Sequence, residues 1–260
     1  MGHRLKWLQA LWRPPTGFSW LNPPRVILLW LLLFTLLPLA VPAFPSIWKG
    51  IDLLHQQGGL GAALTQSLRR MVMGYGIVAV IGILGGLLIG KIPLFDQLLG
   101  SLAVAVNAIP GAAWVPISIM LFGMTEQAVV FTIVLGATGI VMVNTDTGIR
   151  EVPPLLARAA NTLGANDWLK YFLFVQAPSA IPRVVDGLRL AWAFGWRALM
   201  AGELLTSVNG LGGILSATAK AGRSDELLAL MCLVASIGIL VDGYVFKWLE
   251  YRVKVRWGLA

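Results

Sequence analysis

The chain has few of the residues from which soluble proteins build ionic surfaces and metal sites. Only 12% of its 260 residues are charged, where about a quarter is usual in a soluble domain. It has a single cysteine, Cys232, and two histidines, His3 and His55. One cysteine excludes a disulfide framework within the chain, and its place in a hydrophobic run indicates a buried apolar thiol. The histidines are far apart in sequence and have no cysteine partners, so no metal site is indicated.

Hydrophobic residues are abundant instead. They make up 57% of the chain, and the mean hydropathy is +0.78. The net charge of +8 would suit nucleic acid, but the basic residues lie mostly at the ends of hydrophobic runs. That distribution is the positive-inside pattern of membrane proteins. The composition therefore predicts a multi-span membrane protein in a lipid bilayer and gives no support to nucleic-acid binding.

We predict an all-α, polytopic membrane bundle of about six helices. A basic, aromatic segment over 1–25 lies at the cytosolic surface, and a single transmembrane domain covers 26–260. The first hydrophobic run is longer than a signal-peptide core and more spans follow, so we expect it to be retained. A polar loop is expected over 49–64 and a glycine-rich outer segment over 207–223. The predicted spans are 26–48, 66–90, 97–125, 127–144, 183–206 and 227–246.

Two of these spans carry further signals. Gly82, Gly86 and Gly90 recur every four residues in the second span, which predicts a face that lets a neighbouring helix approach closely. A broken helix at membrane depth is tolerated only where it faces protein or a water-filled cavity, and a simple proline kink is the alternative. Residues that interrupt a helix lie in the middle of the third span: Asn107, Pro110, Gly111 and Pro116.

Beyond Arg183 at its start, the fifth span holds four charged residues: Asp186, Arg189, Arg197 and Glu203. A charge in mid-membrane costs about 2.5–3.5 kcal/mol, so such groups normally face a bundle interior or a pathway. Asp186 lies three residues from Arg189 and can pair with it locally. Arg197 has no close acidic partner in sequence and could meet Glu203 only through another helix. Internal salt bridges and substrate contact both remain open.

The segment 150–182 is the one long break between apolar runs. Pro153 and Pro154 suit a helix start, and an apolar stripe follows until Gly164, a natural helix stop. Asn166 or Asp167 can cap a second short helix through Gln176. We expect Pro178 and Pro182 to end that helix. Neither helix is long enough to cross a bilayer, so the segment is either a cytosolic docking piece or an ordinary interfacial loop.

Several motifs resemble those of bacterial ABC-importer permeases. Ala159-Ala160, Leu163-Gly164-Ala165 and Pro178-Ser179-Ala180-Ile181-Pro182 resemble the cytoplasmic coupling motif of that family. The stretches that resemble its nitrate, sulfonate, taurine and bicarbonate branch are Ala113-Trp114-Val115-Pro116, Gly187-Leu188-Arg189, Gly202-Glu203-Leu204 and Gly210-Leu211-Gly212. Two departures are present, because Arg158 replaces the glutamate of the motif and the spacing from Gly164 to Pro178 is one residue longer.

Six spans and the basic residues of both tails place both chain ends in the cytosol. The resemblance implies an importer with a type I permease fold in a bacterial inner membrane. Two copies of the chain would form the path for a small anion that an extracytoplasmic binding protein delivers. Two cytosolic ATPase subunits, which bind ATP and Mg²⁺, would each take up segment 150–182, hereafter the coupling segment. This chain has no Walker A motif and would hold no cofactor, so it would not itself be an enzyme.

The resemblance also assigns roles to residues. Those expected to couple the chain to the ATPase are Leu155, Arg158, Ala159, Ala160, Asn161, Leu163, Gly164, Ala165, Asp167 and Pro178. Those expected along the substrate pathway are Arg197 first, then Arg189, Glu203, Asn107 and Arg69. Guanidinium groups match the geometry of sulfonate and carboxylate, which suits an anionic cargo.

Two other functions stay open on the sequence. A secondary transporter driven by an ion gradient would need acidic residues at mid-membrane, for which Asp186, Glu203 and Asp242 are candidates. A membrane enzyme would need a nucleophile–base set or metal ligands in the spans, and the sequence shows neither. The secondary transporter would leave the coupling segment without a role.

Overall fold

The computed structural model describes residues 23–41, 44–162 and 167–256, and all regular elements in these ranges are helical. In chain order the helices are α1 (Pro23–Ala40), α2 (Ile47–Gln57), α3 (Leu60–Lys91), α4 (Pro93–Ala108), α5 (Gly111–Phe122), α6 (Glu126–Arg150), α7 (Pro154–Thr162), α8 (Trp168–Thr206), α9 (Leu211–Lys220) and α10, which comprises Ser224–Val241, a π-helical turn Asp242–Phe246 and Lys247–Arg256.

Three of these helices, α3, α6 and α10, are long and apolar enough to cross a membrane. Two bent pairs add up to two more spans: α4 with α5 turns by 103°, and α8 with α9 turns by 50°. Helix α1 is apolar but shorter. The six predicted spans fall on these helices, while length and composition support three to five of them. The predicted all-α membrane bundle is confirmed.

Helices α3, α6 and α8 form the centre of the bundle. A Cβ on Gly82 would lie 2.5 Å from Val141 Cβ of α6, and one on Gly86 would lie 2.5 Å from the Met142 carbonyl oxygen. The backbones of α3 and α6 therefore approach so closely that only glycine fits at these positions. The helix-packing face predicted from the glycine spacing is confirmed.

The predicted break in the third span is also confirmed, and it lies against protein. Gly111 begins α5 at a place where a Cβ would lie 3.3 Å from Ala198 Cβ of α8. Asn107, in the last turn of α4, brings its side-chain oxygen to 2.6 Å from the Cβ position of Gly139 on α6. Glycine and alanine on α6 and α8 thus leave room for the interrupted backbone.

The loop expected over 49–64 is wrong for all but Gly58 and Gly59, because α2 occupies Ile47–Gln57 and α3 begins at Leu60. The predicted first span is correspondingly too long, since α1 ends at Ala40. Ile47 and Leu54 of α2 are buried against Ala229 and Leu230 of α10. Ile47 and Leu54 are seven residues apart and share one helix face, a period that the polar residues between them obscured.

The expectation that Pro178 and Pro182 end a short helix is wrong. Helix α8 runs without a stop from Trp168 to Thr206. A π-helical turn over Phe172–Gln176 ends two residues before the first proline. Such local adjustments let a helix continue past the missing N–H group and the bulk of a proline ring. The second half of the coupling segment is therefore the first part of the fifth spanning helix.

Candidate functional site

A buried ion pair joins α3 to the far end of α8. Arg70 Nη1 donates to Glu203 Oε1 at 2.7 Å, and the two side chains are 2% and 0% exposed. Ser67 Oγ lies 2.9 and 2.7 Å from the two Glu203 oxygens, and the Gly212 N–H donates to Oε2 at 3.0 Å. Both carboxylate oxygens are thus satisfied inside the protein.

The glycine-rich turn after α8 closes over this carboxylate. A Cβ on Gly210 would lie 2.5 Å from both Glu203 oxygens, so a side chain there would displace the acid. The Leu211 N–H donates to Ser67 Oγ at 2.9 Å, and the Asn209 carbonyl accepts from Arg70 Nη1 at 2.7 Å. The Gly210-Leu211-Gly212 motif therefore packs against Glu203 and fixes the link between α8 and α9.

Arg70 extends the ion pair to a third helix. Its Nη2 donates to Glu126 Oε1 of α6 at 2.8 Å. Arg69, the neighbour that the sequence placed on the substrate pathway, is largely exposed and lies 3.7 Å from Glu126 Oε2. Sequence reasoning did not pair Arg70 with Glu203, because the two residues are 133 positions apart in the chain. The only signal in the sequence was the Arg69-Arg70 pair itself. It lies near the outer end of the second predicted span, whereas the positive-inside pattern favours basic residues at the cytosolic end.

Arg197 is placed very differently from Glu203, and the two do not pair. It is exposed on a face of α8 that also exposes Leu190, Phe194 and Leu204. Its guanidinium lies over the Phe194 ring, 5.3 Å from the centroid. Within the described ranges no carboxylate forms an ion pair with it. A lone guanidinium thus stands on an otherwise apolar surface of the bundle.

The next residue along α8 places this arginine beside the helix break. Ala198 is fully buried, and its Cβ is the nearest neighbour of the Cβ positions of both Gly111 and Gly136. Arg197 therefore projects from the turn of α8 that packs on the interruption between α4 and α5. Asn107, another predicted pathway residue, is exposed in the last turn before that interruption.

Arg189 is engaged in contacts with α10. Its Nε and Nη2 lie 2.6 and 2.8 Å from the two Asp242 oxygens, and Nη1 lies 2.9 Å from Glu250 Oε2. Bidentate pairs of this kind hold two helices in a fixed relation. The geometry gives Arg189 a structural contact between α8 and α10.

In the coupling segment, α7 has apolar side chains on the protein surface. Leu155 is 76% exposed and Leu156 is also exposed, whereas Ala160 is buried. Arg158, Ala159 and Asn161 are exposed, as is Asp167 just before α8, and Pro178 is partly buried within α8. Leu163, Gly164 and Ala165 lie outside the described residues.

Polar contacts anchor the coupling segment on both sides. Arg150 Nη2 lies 2.7 Å from Asp96 Oδ1, and Glu151 Oε2 lies 2.7 Å from Arg183 Nη2. At the end of α3, Lys91 donates to the side-chain oxygen of Gln176. Its amino group also lies over the rings of Trp168 and Phe172, at 5.6 and 4.7 Å from the centroids.

Arg70 is near the start of α3 and Lys91 is its last residue, so these two polar clusters lie toward opposite ends of the bundle. Lys91 has no partner close to it in sequence, so its contacts with Gln176, Trp168 and Phe172 were not predicted. No group of three or more His, Cys, Asp or Glu side chains that could hold a metal occurs in the part of the chain that the structure describes.

The comparison with known proteins matches residues 82–255 to the family described as "Binding-protein-dependent transport system inner membrane component". A bicarbonate transport system permease protein of Synechocystis is 28% identical, over 90% of this chain and 89% of its own. The nitrate import permease of Leptolyngbya laminosa is 31% identical, over 72% and 67% of the two chains. The taurine transport system permease of Escherichia coli is 28% identical, over 92% and 89%.

Solved structures share the fold. A chain of an inward-facing methionine ABC transporter superposes with a TM-score of 0.63 at 18% identity, covering 75% of this chain and 96% of the other. A chain of an amino acid ABC transporter gives 0.63 at 16% identity, covering 79% and 97%.

Proposed function

This chain belongs to the binding-protein-dependent transport system inner membrane component family, and we propose that it forms the pathway of an ATP-driven importer for a small anion. It is a multi-pass permease of the membrane and is not itself the ATPase of such a system. The cargo class we propose is a bicarbonate-, nitrate- or sulfonate-like anion, taurine included, since relatives are named for these substrates.

Arg197 carries the proposal of an anionic cargo. A guanidinium in hydrocarbon costs about 2.5–3.5 kcal/mol, so the face that exposes it is better covered by water or protein than by lipid. The adjoining break between α4 and α5 also suits a surface next to a cavity. A second copy of the chain facing this surface would enclose a polar path with Arg197 on its wall. There the guanidinium would offer a carboxylate or sulfonate two parallel hydrogen bonds.

The coupling segment supports the proposed source of energy. Leu155 and Leu156 are exposed on a helix that belongs to no spanning segment. They form an apolar surface that a partner protein could bury. We assign that partner to a cytosolic ATPase subunit, one for each of two permease copies. ATP binding and hydrolysis there would move α7 and, through Lys91 and α8, the spans. An extracytoplasmic binding protein would deliver the cargo.

This assignment sets an orientation. The coupling segment and both chain ends would be cytosolic, in a bacterial inner membrane, and the Arg70–Glu203 pair would lie toward the outside. We propose a surface segment over 1–25, of which 1–22 lie outside the described residues, and one transmembrane domain over 26–260 that includes the coupling segment at 150–182.

The acidic residues give little support to an ion-gradient-driven transporter. Glu203 is paired with Arg70, and Asp242 with Arg189. Both carboxylates are thus engaged by arginine side chains of the same chain. No observation favours this second function over the first.

Co-purification from a host that also carries the ATPase and binding-protein genes tests the proposal. We expect the wild-type chain to retain an ATPase subunit, and Leu155→Asp to lose it because a charge would enter an apolar contact. Gln57→Asp, at the exposed polar end of α2 and outside the candidate spans, is the control for added charge and should retain the subunit. Recovery of the wild-type chain alone, with uptake that persists when ATP is removed, would overturn the proposal.

A further inference from the structure

A cleft of about 290 Å³ opens on the outside of the bundle, between α1 and α10. The two helices touch at one end, where a Cβ on Gly243 would lie 2.1 Å from Pro23 Cγ. None of the residues proposed for the coupling surface or the pathway lines this cleft. Asp242, which does line it, is the ion-pair partner of Arg189. The lining residues are Pro23, Val26, Gly238, Ile239, Asp242, Gly243 and Lys247.

The charge that this cleft offers to a ligand is positive. Its lining contains two charged side chains, Asp242 and Lys247. Both oxygens of Asp242 are bound by Arg189, at 2.6 and 2.8 Å. Lys247 is exposed and forms no ion pair with any described residue. The carboxylate is therefore compensated inside the protein, whereas the ammonium group has no counter-charge among the described residues.

The last turns of α10 carry further aromatic and basic side chains. Arg252 holds its guanidinium over the Trp248 ring, 4.8 Å from the centroid, and Tyr244 and Trp248 are exposed. Glu250, the acidic residue of this stretch, is bound by Arg189 at 2.9 Å. Tyrosine and tryptophan are enriched at the level of lipid headgroups, and basic pockets between spanning helices bind anionic ones.

We propose that this cleft binds one anionic phospholipid per chain. An acyl chain would lie against Val26, Gly238 and Ile239, in the apolar part between the two helices. The headgroup phosphate would meet Lys247, the uncompensated cation of the lining. A lipid in this position fills the gap between α1 and the body of the bundle. The inference does not depend on the transported cargo or on the ATPase.

Native mass spectrometry of the purified chain tests the proposal. The protein is reconstituted in bilayers of equal phosphatidylglycerol and phosphatidylethanolamine, released, and its retained lipids are counted. We expect the wild type to retain phosphatidylglycerol in preference to phosphatidylethanolamine. Lys247→Gln should lower the retention ratio about fivefold, the factor that corresponds to the ~1 kcal/mol of one basic side chain near an anionic surface. Lys220→Gln, an exposed lysine at the end of α9, should leave the ratio unchanged.

A steric variant separates the cleft from general surface attraction. Val26→Trp fills the space from the α1 side and keeps every charge, so it should also abolish the preferred retention. If this variant does not fold, the comparison of Lys247→Gln with Lys220→Gln decides the test. Equal retention of both lipids by the wild type would overturn the proposal. So would an unchanged ratio in Lys247→Gln, or full retention by a folded Val26→Trp chain.

Discussion

Arg70 and Glu203 form a 2.7 Å ion pair between side chains that are almost fully buried, although 133 residues separate them in the chain. The pair lies where α3, α6, α8 and the turn before α9 meet. A buried charge with a complete set of partners is tolerated, while removal of one partner leaves the other unsatisfied. This asymmetry makes the pair the clearest place to test the fold.

Replacing Arg70 alone should be strongly destabilising. Arg70→Met leaves the Glu203 carboxylate buried without its cation, at a cost of about 3–5 kcal/mol. We expect a lower yield of monodisperse protein and a lower thermal midpoint in detergent. The double variant Arg70→Met, Glu203→Leu should recover much of the loss. Arg69→Gln is the control, because that side chain is exposed and should change stability by less than about 1 kcal/mol.

The glycine face of α3 gives a prediction with a control on the same helix. Gly82→Ala places a methyl group about 2.5 Å from Val141 Cβ and should cost about 1–3 kcal/mol. Gly76→Ala meets no atom within 4 Å and should be neutral or slightly stabilising. Thermal unfolding in one detergent compares them. Equal midpoints for the two variants would contradict the close approach of α3 and α6.

Arg197 should matter for transport and not for assembly. In reconstituted vesicles Arg197→Gln should reduce uptake of the cognate anion at least tenfold, the loss expected for one charge-assisted contact. The melting temperature and the amount of co-purified ATPase subunit should be unchanged, because the Arg197 side chain is exposed and forms no ion pair with a described acidic residue. Arg197→Lys should retain part of the uptake. Failure of Arg197→Gln to assemble would show a structural role instead.

Lys91 should control how ATP hydrolysis is converted into uptake. Lys91→Ala removes the contacts that tie the end of α3 to Trp168, Phe172 and Gln176. We expect hydrolysis to continue while the anion transported per ATP falls. Lys170→Ala is the matched control, since that lysine is exposed on the same stretch and makes no ion pair in the described residues. A ratio equal to wild type in both variants would contradict the role of Lys91.

Local signals in the sequence predicted several features well. Long uncharged runs predicted a membrane bundle because hydrocarbon accepts only segments whose backbone groups are satisfied internally. The Gly82, Gly86 and Gly90 spacing predicted a packing face, and Pro110 and Gly111 predicted a broken span. The same local signals failed at α2, a short helix in which polar residues separate the few apolar ones. They also failed at Pro178, because the helix continues through a π-helical turn and past the proline.

The sequence alone determined that this protein is helical, lies in a membrane and has an interrupted third span, because hydropathy and helix-breaking residues act over a few turns of chain. Only the tertiary structure decided which charges are paired. Glu203 has Arg70 as its partner, Arg189 has Asp242, and Arg197 is left facing outward. Electrostatic partners are chosen by distance in space, and helix packing brings together residues that no sequence spacing relates.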